Sequence, residues 1–459
     1  MLVAFRSDAS IDIGTGHVMR CLTLAEALCK HGAKCVFICH PHKGHLLELI
    51  EQRGHKAIAL PALSPDENRS VSKTGLAHAL WLGTDLKRDA EDTLKAVGHT
   101  MIDWLVVDHY ALDENWENAL RPVCRKLMVI DDLADRRHDC DILLDQNLGL
   151  NASDYNGLLP SNCTTLIGPK YALLRPEFAE LRNESLGRRT SSQLKNLLVS
   201  MGGVDKDNAT GQVLEALNSC DLPSDLKITV VMGPHAPWLK DVQQQAMQMT
   251  RPTQVLTGVS NMARLLTDCD LAIGAAGSSA WERCCLGVPS MIAVLAENQS
   301  STADQLSTLK CALKIDNPLI NTSSDFYFLT NNRHLITKMS ENSRSICDGE
   351  GAKRLCVIIA NQAVNLRRAT DEDAHRVWEW RNDGDAFKHY RHPHHTTYED
   401  HLSWFRSALK DTSRILLILE QSAAPFMLPR HRVQDVDTLE DWKRAELMFR
   451  ISQKRCDGS

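Results

Sequence analysis

The stretch IGTGHVMR at residues 13–20 is the feature that most constrains the fold of this chain. It follows a short apolar run at residues 2–5. The residues that come next place apolar side chains at the spacing of one helix face: Val18, Cys21, Leu22, Ala25 and Leu28. The pattern predicts a strand, a glycine loop and a helix. Gly14 and Gly16 let backbone N–H groups approach a ligand closely, and the N-terminus of a helix favours an anion there.

His17 lies where the predicted strand gives way to the predicted helix. Open α/β sheets carry their ligand-binding residues at such places. The same stretch is also compatible with a tight turn in which His17 caps the helix or packs locally, because short glycine motifs occur in many unrelated turns. The motif alone is compatible with a ligand-binding loop and with a local turn. The features of the rest of the chain are needed to distinguish them.

Length, charge and cysteine content narrow the class of protein. A chain of 459 residues is too long for one hydrophobic core, so we expect two to four domains. A net charge of −6 does not imply the dominant basic surface that binds nucleic acid. We find no run of about 18 apolar residues and no basic start of a signal peptide, so we expect no membrane span. The fifteen cysteines, odd in number and without zinc spacing, predict reduced thiols, no metal site and a cytoplasmic protein.

The first part of the chain alternates strands and helices, which indicates a parallel sheet covered on both faces. We predict strands at residues 34–39, 55–60, 104–107 and 126–130, and helices at residues 45–53, 84–97 and 113–124. Polar clusters follow strands at residues 108–110, 131–132 and 145–147. The carboxyl ends of such strands face the ligand crevice, although aspartates after strands also cap the following helices.

A second α/β series follows a crossing segment at residues 166–193. We predict its strands at residues 194–200, 226–232, 254–256, 271–273 and 290–294, with helical segments continuing to about residue 362. Small residues before its helices, as in Gly277-Ser278-Ser279, leave space and backbone N–H groups for a phosphate. Glu282 is suited to accept hydrogen bonds from two ribose hydroxyls, or it simply pairs with the positive end of its helix.

Two such sheets in tandem, each with a glycine loop near its start, predict an α/β protein with two Rossmann-like domains and a cleft between them. This architecture resembles the B-type glycosyltransferase fold, in which a nucleotide sugar occupies the cleft. We predict an N-terminal domain at residues 1–165, the crossing segment at 166–193 and a C-terminal domain at 194–362.

Residues 1 to about 360 resemble the family of UDP-2,4-diacetamido-2,4,6-trideoxy-β-L-altropyranose hydrolases of pseudaminic acid biosynthesis. The matching stretches occur in family order at residues 6–10, 13–20, 107–110, 131–133, 145–147, 168–175, 200–203, 277–289 and 298–299. The resemblance implies an enzyme without metal or cofactor that hydrolyses a UDP-linked diacetamido sugar with inversion and releases UDP. It implies the UDP-sugar and water as partners, and we also expect association with other enzymes of the pathway.

The resemblance assigns His17 as the catalytic histidine that activates the attacking water. A neutral imidazole suits this role near pH 7, because its ordinary pKa is about 6.5. Glu282 and the small-residue loop before it match the uridine-ribose site of related enzymes. We expect substrate contacts from Gly14, Gly16, Arg20, Asp108, Tyr110, Arg175, Gly202, Gly203, Gly277, Ser278, Ser279, Glu282, Asn298 and Gln299.

The last hundred residues differ in character. Residues 366–373, 378–382, 401–405 and 414–420 resemble the start of a GNAT-superfamily N-acetyltransferase. The loop that would hold acetyl-CoA is missing, so we expect an incomplete α+β segment at 363–420 in which Trp378, Trp380 and Trp404 are core aromatics. Within a tail at 421–459, residues 428–447 resemble the end of a cytidylyltransferase, and we expect this tail to be partly disordered.

Three alternatives to a hydrolase stay open. A glycosyltransferase using a UDP-sugar donor has the same fold, because fold does not fix function. An inactive hydrolase serving as an assembly module is disfavoured by the intact His17 loop, and a hydrolase that is also an acetyltransferase is disfavoured by the missing acetyl-CoA loop. A hydrolase alone turns over without an acceptor.

Overall fold

The structure of the protein is a computed structural model that describes residues 1–62, 76–189, 194–316, 318–362, 364–382, 397–411 and 417–421. The chain divides into two compact units, Met1–Ile358 and Ile359–Ser459. Two predictions lie outside the described residues: the loop at residues 63–75 and the tail from residue 422 onward.

The first sheet of the larger unit contains seven strands: β1 (Leu2–Ser7), β2 (Lys34–Cys39), β3 (Lys56–Ala59), β4 (Ile102–Asp108), β5 (Cys124–Ile130), β6 (Ile142–Asp145) and β7 (Thr164–Ile167). They pair in parallel in the order β3-β2-β1-β4-β5-β6-β7. The order reverses between β1 and β4. In open α/β sheets the ligand crevice lies outside the carboxyl ends of the strands at such a reversal.

The helices of the first half are α1 (Gly16–Lys30), α2 (Leu47–Gln52), α3 (Leu86–Val97), α4 (Glu114–Leu120) and α5 (Pro176–Arg188). Asp113 caps α4 by accepting hydrogen bonds from backbone N–H groups of the first turn, as predicted. The predicted end of that helix at residue 124 is wrong. Pro122 has no N–H to extend the helix, so α4 ends at Leu120 and β5 begins at Cys124.

The second sheet of the larger unit contains six strands: β8 (Asn196–Ser200), β9 (Lys227–Met232), β10 (Thr253–Thr257), β11 (Leu271–Ala275), β12 (Ser290–Ala293) and β13 (Ala312–Ile315). They pair in parallel in the order β10-β9-β8-β11-β12-β13. The helices of this half are α6 (Ala209–Asn218), α7 (Leu239–Met247), α8 (Met262–Asp268), α9 (Ser279–Cys285), α10 (Ser300–Thr308), α11 (Pro318–Asn331), α12 (Arg333–Ser343) and α13 (Gly351–Gln362). Two parallel sheets with helical connections confirm the predicted pair of Rossmann-like domains.

Two elements of the larger unit differ from the prediction. The strand β13 lies where continuous helix was expected. It is buried at its two ends and only partly buried between them, so it lacks the alternation that is typical of a strand. Nearly half of the crossing segment is the helix α5, which the sequence did not predict. That helix begins at Pro176, whose fixed φ suits the first helical position.

The described part of the smaller unit pairs β14 (Val364–Arg368) with β15 (Leu417–Gln421) in antiparallel fashion and adds the helices α14 (Ala374–Asn382) and α15 (Tyr398–Lys410). The prediction of Trp404 as a core aromatic is wrong, because its side chain is 43% exposed. His401 and Phe405 lie one turn apart on the buried face of α15, and Trp404 falls beside that face. Trp378 is only partly buried.

Candidate active site

The carboxylate of Asp108, at the end of β4, holds two side chains from the first turns of α1. His17 Nδ1 lies 2.6 Å from Asp108 Oδ1. Arg20 donates to both carboxylate oxygens, with Nε 2.6 Å from Oδ2 and a terminal nitrogen 2.6 Å from Oδ1. Asp108 is fully buried and the His17 side chain is 10% exposed. The structure thus brings together three residues that the sequence predicted for the site.

The charge of Asp108 determines which nitrogen of His17 carries the proton. Burial opposes ionisation of this carboxyl group, but Arg20 and His17 outweigh burial and hold the pKa of Asp108 well below its ordinary value. A short contact between an ionised carboxylate and Nδ1 requires a proton on Nδ1. In the neutral imidazole Nε2 is then the acceptor. None of the contacts of His17 with other described residues involves Nε2, so this nitrogen is available as a base.

The loop before α1 is held in shape by its own hydrogen bonds. Ser10 Oγ accepts from the N–H groups of Asp12 and Ile13, and the N–H of Gly14 donates to the carbonyl of Ser10 over 2.9 Å. Gly14 has φ near +81°, a left-handed conformation that favours glycine. No side-chain cap covers the start of α1 at Thr15, so the N–H groups of its first turn are open to an anion.

Loops of the second sheet face this loop across the cleft of the larger unit. A Cβ atom added at Gly203 would lie 3.3 Å from Thr15 Oγ1, and one added at Gly16 would lie 3.9 Å from Ser278 Oγ. Lys206 Nζ, from the second half, lies 3.4 Å from Asp12 Oδ1 in the loop before α1. The predicted glycine loops around residues 14–16, 202–203 and 277–279 therefore meet. The neighbouring Gly202 has φ near +99°, which also favours glycine.

A chain of hydrogen bonds connects the two sheets beside His17. The Tyr110 hydroxyl donates to Asp132, and the amide of Asn147 donates to the other oxygen of Asp132. Asn147 Oδ1 accepts from Trp281 Nε1, in α9 of the second half, over 3.1 Å. The Tyr110 ring meets the His17 ring edge-on with centroids 4.7 Å apart. Tyr110, for which the sequence predicts a substrate contact, therefore lies against His17.

The small-residue loop between β11 and α9 forms the second wall. Arg283 is buried and donates to Ser279 Oγ over 3.2 Å and to the carbonyl of Ala275 over 2.7 Å. Glu282 is next to it, and burial raises the pKa of Glu282 to about 7 although Arg175 and Arg283 oppose the shift. A carboxylate that takes a proton near neutral pH beside a cleft is typical of a binding site.

The remaining predicted residues lie further from His17 or point elsewhere. Arg175 contacts Glu177 over 3.1 Å and the carbonyl of Ser260 over 3.1 Å, and it acts electrostatically on Glu282. Gln299 lies near the loop: a Cβ atom added at Gly277 would be 3.5 Å from its Nε2. Asn298 is exposed, and the structure does not bring it to His17.

Two residues of the site are missing from the predicted set, although the sequence carried a signal for them. Asp132 and Asn147 both belong to polar clusters that follow strands, and their contact with each other depends on the neighbouring positions of β5 and β6. Sequence spacing does not show which member of such a cluster points into the cleft. At the end of β4 the side-chain direction alternates, so Asp108 lies on the side of His17 and His109 lies on the other side.

The described ranges contain neither a metal-binding cluster nor a membrane-spanning helix. Their fourteen cysteines carry free thiols, and no group of three or more His, Cys, Asp or Glu side chains there is placed to hold a metal ion. Within the same ranges, every helix is too short or too polar to cross a membrane.

No protein-family model matches the sequence. Over 308 residues the chain is 28% identical to the UDP-2,4-diacetamido-2,4,6-trideoxy-β-L-altropyranose hydrolase of Campylobacter jejuni, an alignment that covers 67% of this chain and 96% of the relative. Over 428 residues it is 26% identical to an uncharacterized protein of Methanocaldococcus jannaschii, covering 92% of this chain and 81% of the relative. The second alignment must therefore include much of the smaller unit.

Solved structures match the larger unit in fold. MurG of Acinetobacter baumannii superposes with a TM-score of 0.55 at 15% identity, over 78% of this chain and 99% of that chain. The kitacinnamycin glycosyltransferase gives 0.54 at 15% identity, over 79% and 98%. With the two parallel sheets, these likenesses confirm the predicted B-type glycosyltransferase fold. The sequence similarity supports the predicted resemblance to the hydrolase family, while the acetyltransferase-like and cytidylyltransferase-like resemblances stay predictions.

Proposed function

We propose that this protein hydrolyses a UDP-linked 2,4-diacetamido-2,4,6-trideoxy sugar at the anomeric carbon, with inversion, and releases UDP and the free sugar in pseudaminic acid biosynthesis. One observation carries the proposal. His17 is bound to Asp108 through Nδ1, which leaves Nε2 as a base at the carboxyl edge of the first sheet, opposite the loops of the second. The similarity to the Campylobacter jejuni hydrolase supports the choice of substrate.

In the proposed reaction, His17 Nε2 takes a proton from a water molecule as that water attacks the anomeric carbon. The bond between this carbon and the β-phosphate oxygen breaks, and its electron pair leaves with UDP. Asp108 keeps the imidazole oriented and stabilises the imidazolium, while Arg20 keeps Asp108 ionised. The open N–H groups of the glycine loops stabilise the charge that grows on the diphosphate.

The uridine end of the substrate is proposed to lie at α9. An ionised Glu282 accepts hydrogen bonds from the ribose hydroxyls, with the loop at residues 277–279 next to the phosphates. Because the pKa of Glu282 in the free protein is about 7, the ionised form that binds ribose predominates only above that pH. UDP binding should therefore weaken as the pH falls from 8 to 6. In Glu282→Gln, calorimetric titration should give weaker binding with little dependence on pH.

The decisive experiment measures UDP release from the purified protein given the UDP-linked sugar and no acceptor. Wild-type protein should release UDP steadily. His17→Ala should turn over on the order of 10²–10⁴-fold more slowly and still bind UDP, because the base is lost and the nucleotide site is kept. His99→Ala, on the exposed turn after α3, is the matched control and should behave as wild type. Undiminished turnover by His17→Ala would exclude His17 as the base.

Transfer of the sugar to an acceptor is the second candidate, favoured by the fold shared with a glycosyltransferase. A transferase would bind UDP and leave the UDP-sugar intact in buffer. The same experiment separates the two functions.

A further inference from the structure

Three aromatic side chains form a continuous wall beside His17, and two of them were not predicted from the sequence. Trp81 lies in the short 3-10 helix Ala79–Leu82, and His78 immediately precedes it. The ring centroids of Trp81 and Tyr110 are 5.7 Å apart with planes inclined by 29°. His78 packs on both, at 4.5 Å from Trp81 and 5.2 Å from Tyr110. We call His78, Trp81 and Tyr110 the aromatic wall.

The wall is close to the reacting group of the proposed mechanism. His17 meets Tyr110 at 4.7 Å and Trp81 at 6.2 Å, with its ring nearly perpendicular to both. The base and the wall therefore border the same space. A substrate atom attacked by a water on His17 Nε2 has to lie within reach of this wall.

The three members of the wall differ in accessibility. Tyr110 is only 4% exposed, and its hydroxyl donates a hydrogen bond to Asp132. Trp81 and His78 are both partly exposed. Trp116 and Trp281, by contrast, are buried in the larger unit and donate their indole N–H groups to protein acceptors. Trp81 is thus a large aromatic surface that reaches the site without being part of the core.

We propose that Trp81 is the platform on which the sugar ring stacks while its anomeric carbon faces His17, and that it selects sugars with apolar substituents. This inference rests on the proposed function, because it concerns the sugar of that substrate. The face of an indole ring is electron-rich, so C–H groups of a sugar are attracted to it, and burying methyl groups there adds hydrophobic stabilisation. A trideoxy sugar with two N-acetyl groups offers more such groups than a fully hydroxylated one.

The assignment separates the sugar from the nucleotide. The platform lies on the first half, next to His17, while the proposed ribose contact is Glu282 on the second half. Removing the indole should therefore weaken binding of the UDP-sugar and leave binding of UDP unchanged. A merely structural role for Trp81 would weaken both or lower the stability.

The test uses the full chain carrying His17→Ala, which is expected to hold the UDP-sugar intact. In this background, calorimetry should show that Trp81→Ala weakens the UDP-sugar complex about tenfold or more, and that the UDP complex is unchanged. Trp81→Phe should recover much of the loss, because it keeps an aromatic face. Leu80→Ala is the matched control, since Leu80 is on the same turn and 62% exposed but outside the wall.

Unchanged affinity of Trp81→Ala for the UDP-sugar would overturn the inference, as would an equal loss for UDP and UDP-sugar. If Trp81→Ala does not fold, Trp81→Phe against Leu80→Ala gives the same comparison with a smaller effect. UDP release by the wild-type protein tests the proposed function separately. A protein that binds the sugar through Trp81 but does not release UDP would refute hydrolysis and leave the platform standing.

Discussion

Two clusters of histidine and aspartate lie at the carboxyl edge of the first sheet, and they differ in access. The first, the open cluster, consists of His17, Arg20 and Asp108. The second, the sealed cluster, consists of Arg6, Asp8, His40, Asp89 and His109. Strand β4 and the residue after it supply both, because Asp108 and His109 point to opposite sides.

The sealed cluster has the larger network and the poorer access to solvent. Arg6 bridges Asp8 over 2.7 Å and Asp89 over 2.6 Å, and Asp89 also accepts from Trp116 Nε1 over 2.8 Å. Both carboxylates and the guanidinium are completely buried. A histidine paired with a carboxylate is therefore not evidence of catalysis by itself. What distinguishes His17 is access, because its side chain is 10% exposed whereas those of His40 and His109 are 1% exposed.

The largest expected effect on activity comes from Asp108→Asn in the open cluster. The amide cannot hold the proton of His17 on Nδ1 as the carboxylate does, so the base loses its orientation. We expect kcat to fall on the order of 10²–10⁴-fold, as for loss of a positioned base, in an assay of UDP release. Asp113→Asn is the control, because asparagine also caps a helix. Equal rates for the two variants would contradict the role of Asp108.

Asp89→Asn in the sealed cluster should affect stability instead. Burial opposes its ionisation, yet Arg6 and His40 hold the pKa of Asp89 well below its ordinary value. Removing its charge leaves the buried Arg6 short of a partner, which typically costs about 3–5 kcal/mol. Urea unfolding should show this loss, while Glu91→Gln, on the exposed side of the same helix, should stay within about 0.5 kcal/mol of wild type. An unfolding midpoint equal to that of Glu91→Gln would contradict the structural role.

His109 should make the stability of the protein depend on pH. Burial lowers the pKa of His109 to about 3, Asp8 opposes the shift, and Nδ1 accepts from the N–H of Ala111 over 3.2 Å. In the unfolded chain its pKa is about 6.5, so unfolding takes up a proton below that pH and stability falls as the pH decreases towards 3. His109→Asn keeps an acceptor and does not titrate.

Between pH 7 and 5, the wild-type protein should therefore lose about 2 kcal/mol more stability than His109→Asn. Urea unfolding of both proteins at several pH values measures the difference. Parallel curves would mean that His109 titrates alike in the folded and the unfolded protein, and the sealed cluster would then be less isolated from solvent than its geometry implies.

The smallest effect on activity is expected from Tyr110→Phe, which changes a side chain packed against His17 of the open cluster. The variant keeps the aromatic ring and removes the hydroxyl that donates to Asp132, while Asn147 remains as a donor to that carboxylate. We expect less than a tenfold fall in kcat/KM, since one hydrogen bond contributes about 1 kcal/mol. Tyr327→Phe, 66% exposed on α11, is the control. A larger fall would place the hydroxyl itself in the chemistry.

The sequence was informative where a local pattern determines the structure. The strand β2 lies at the predicted residues, and the start of α1 places His17 at a strand–helix junction as expected. The cluster at residues 108–110 was predicted from its position after a buried strand. The juxtaposition of the His17 loop with the loops near residues 203 and 278 followed from the fold class.

The sequence was uninformative where a contact joins distant segments. Nothing local in residues 78–81 marks Trp81 as a neighbour of His17, because the contact depends on the path of the chain between β3 and α3. The sequence also did not predict the sealed cluster. Asp89 is a helix residue, and its partners are Arg6 on β1 and His40 directly after β2. Side-chain direction at strand ends and long-range packing are set by tertiary structure, which spacing does not record.

The hydrogen-bond chain from Tyr110 through Asp132 and Asn147 to Trp281 has a thermodynamic consequence. It joins the surroundings of His17 to the helix that carries Glu282, so a ligand that breaks a bond of this chain at one end would change the energy of the other end. Such coupling is reciprocal: if a nucleotide at α9 shifts Trp281 and thereby alters sugar affinity, the sugar must alter nucleotide affinity by the same factor. Asn147, which contacts both Asp132 and Trp281, is the link whose removal would interrupt this chain.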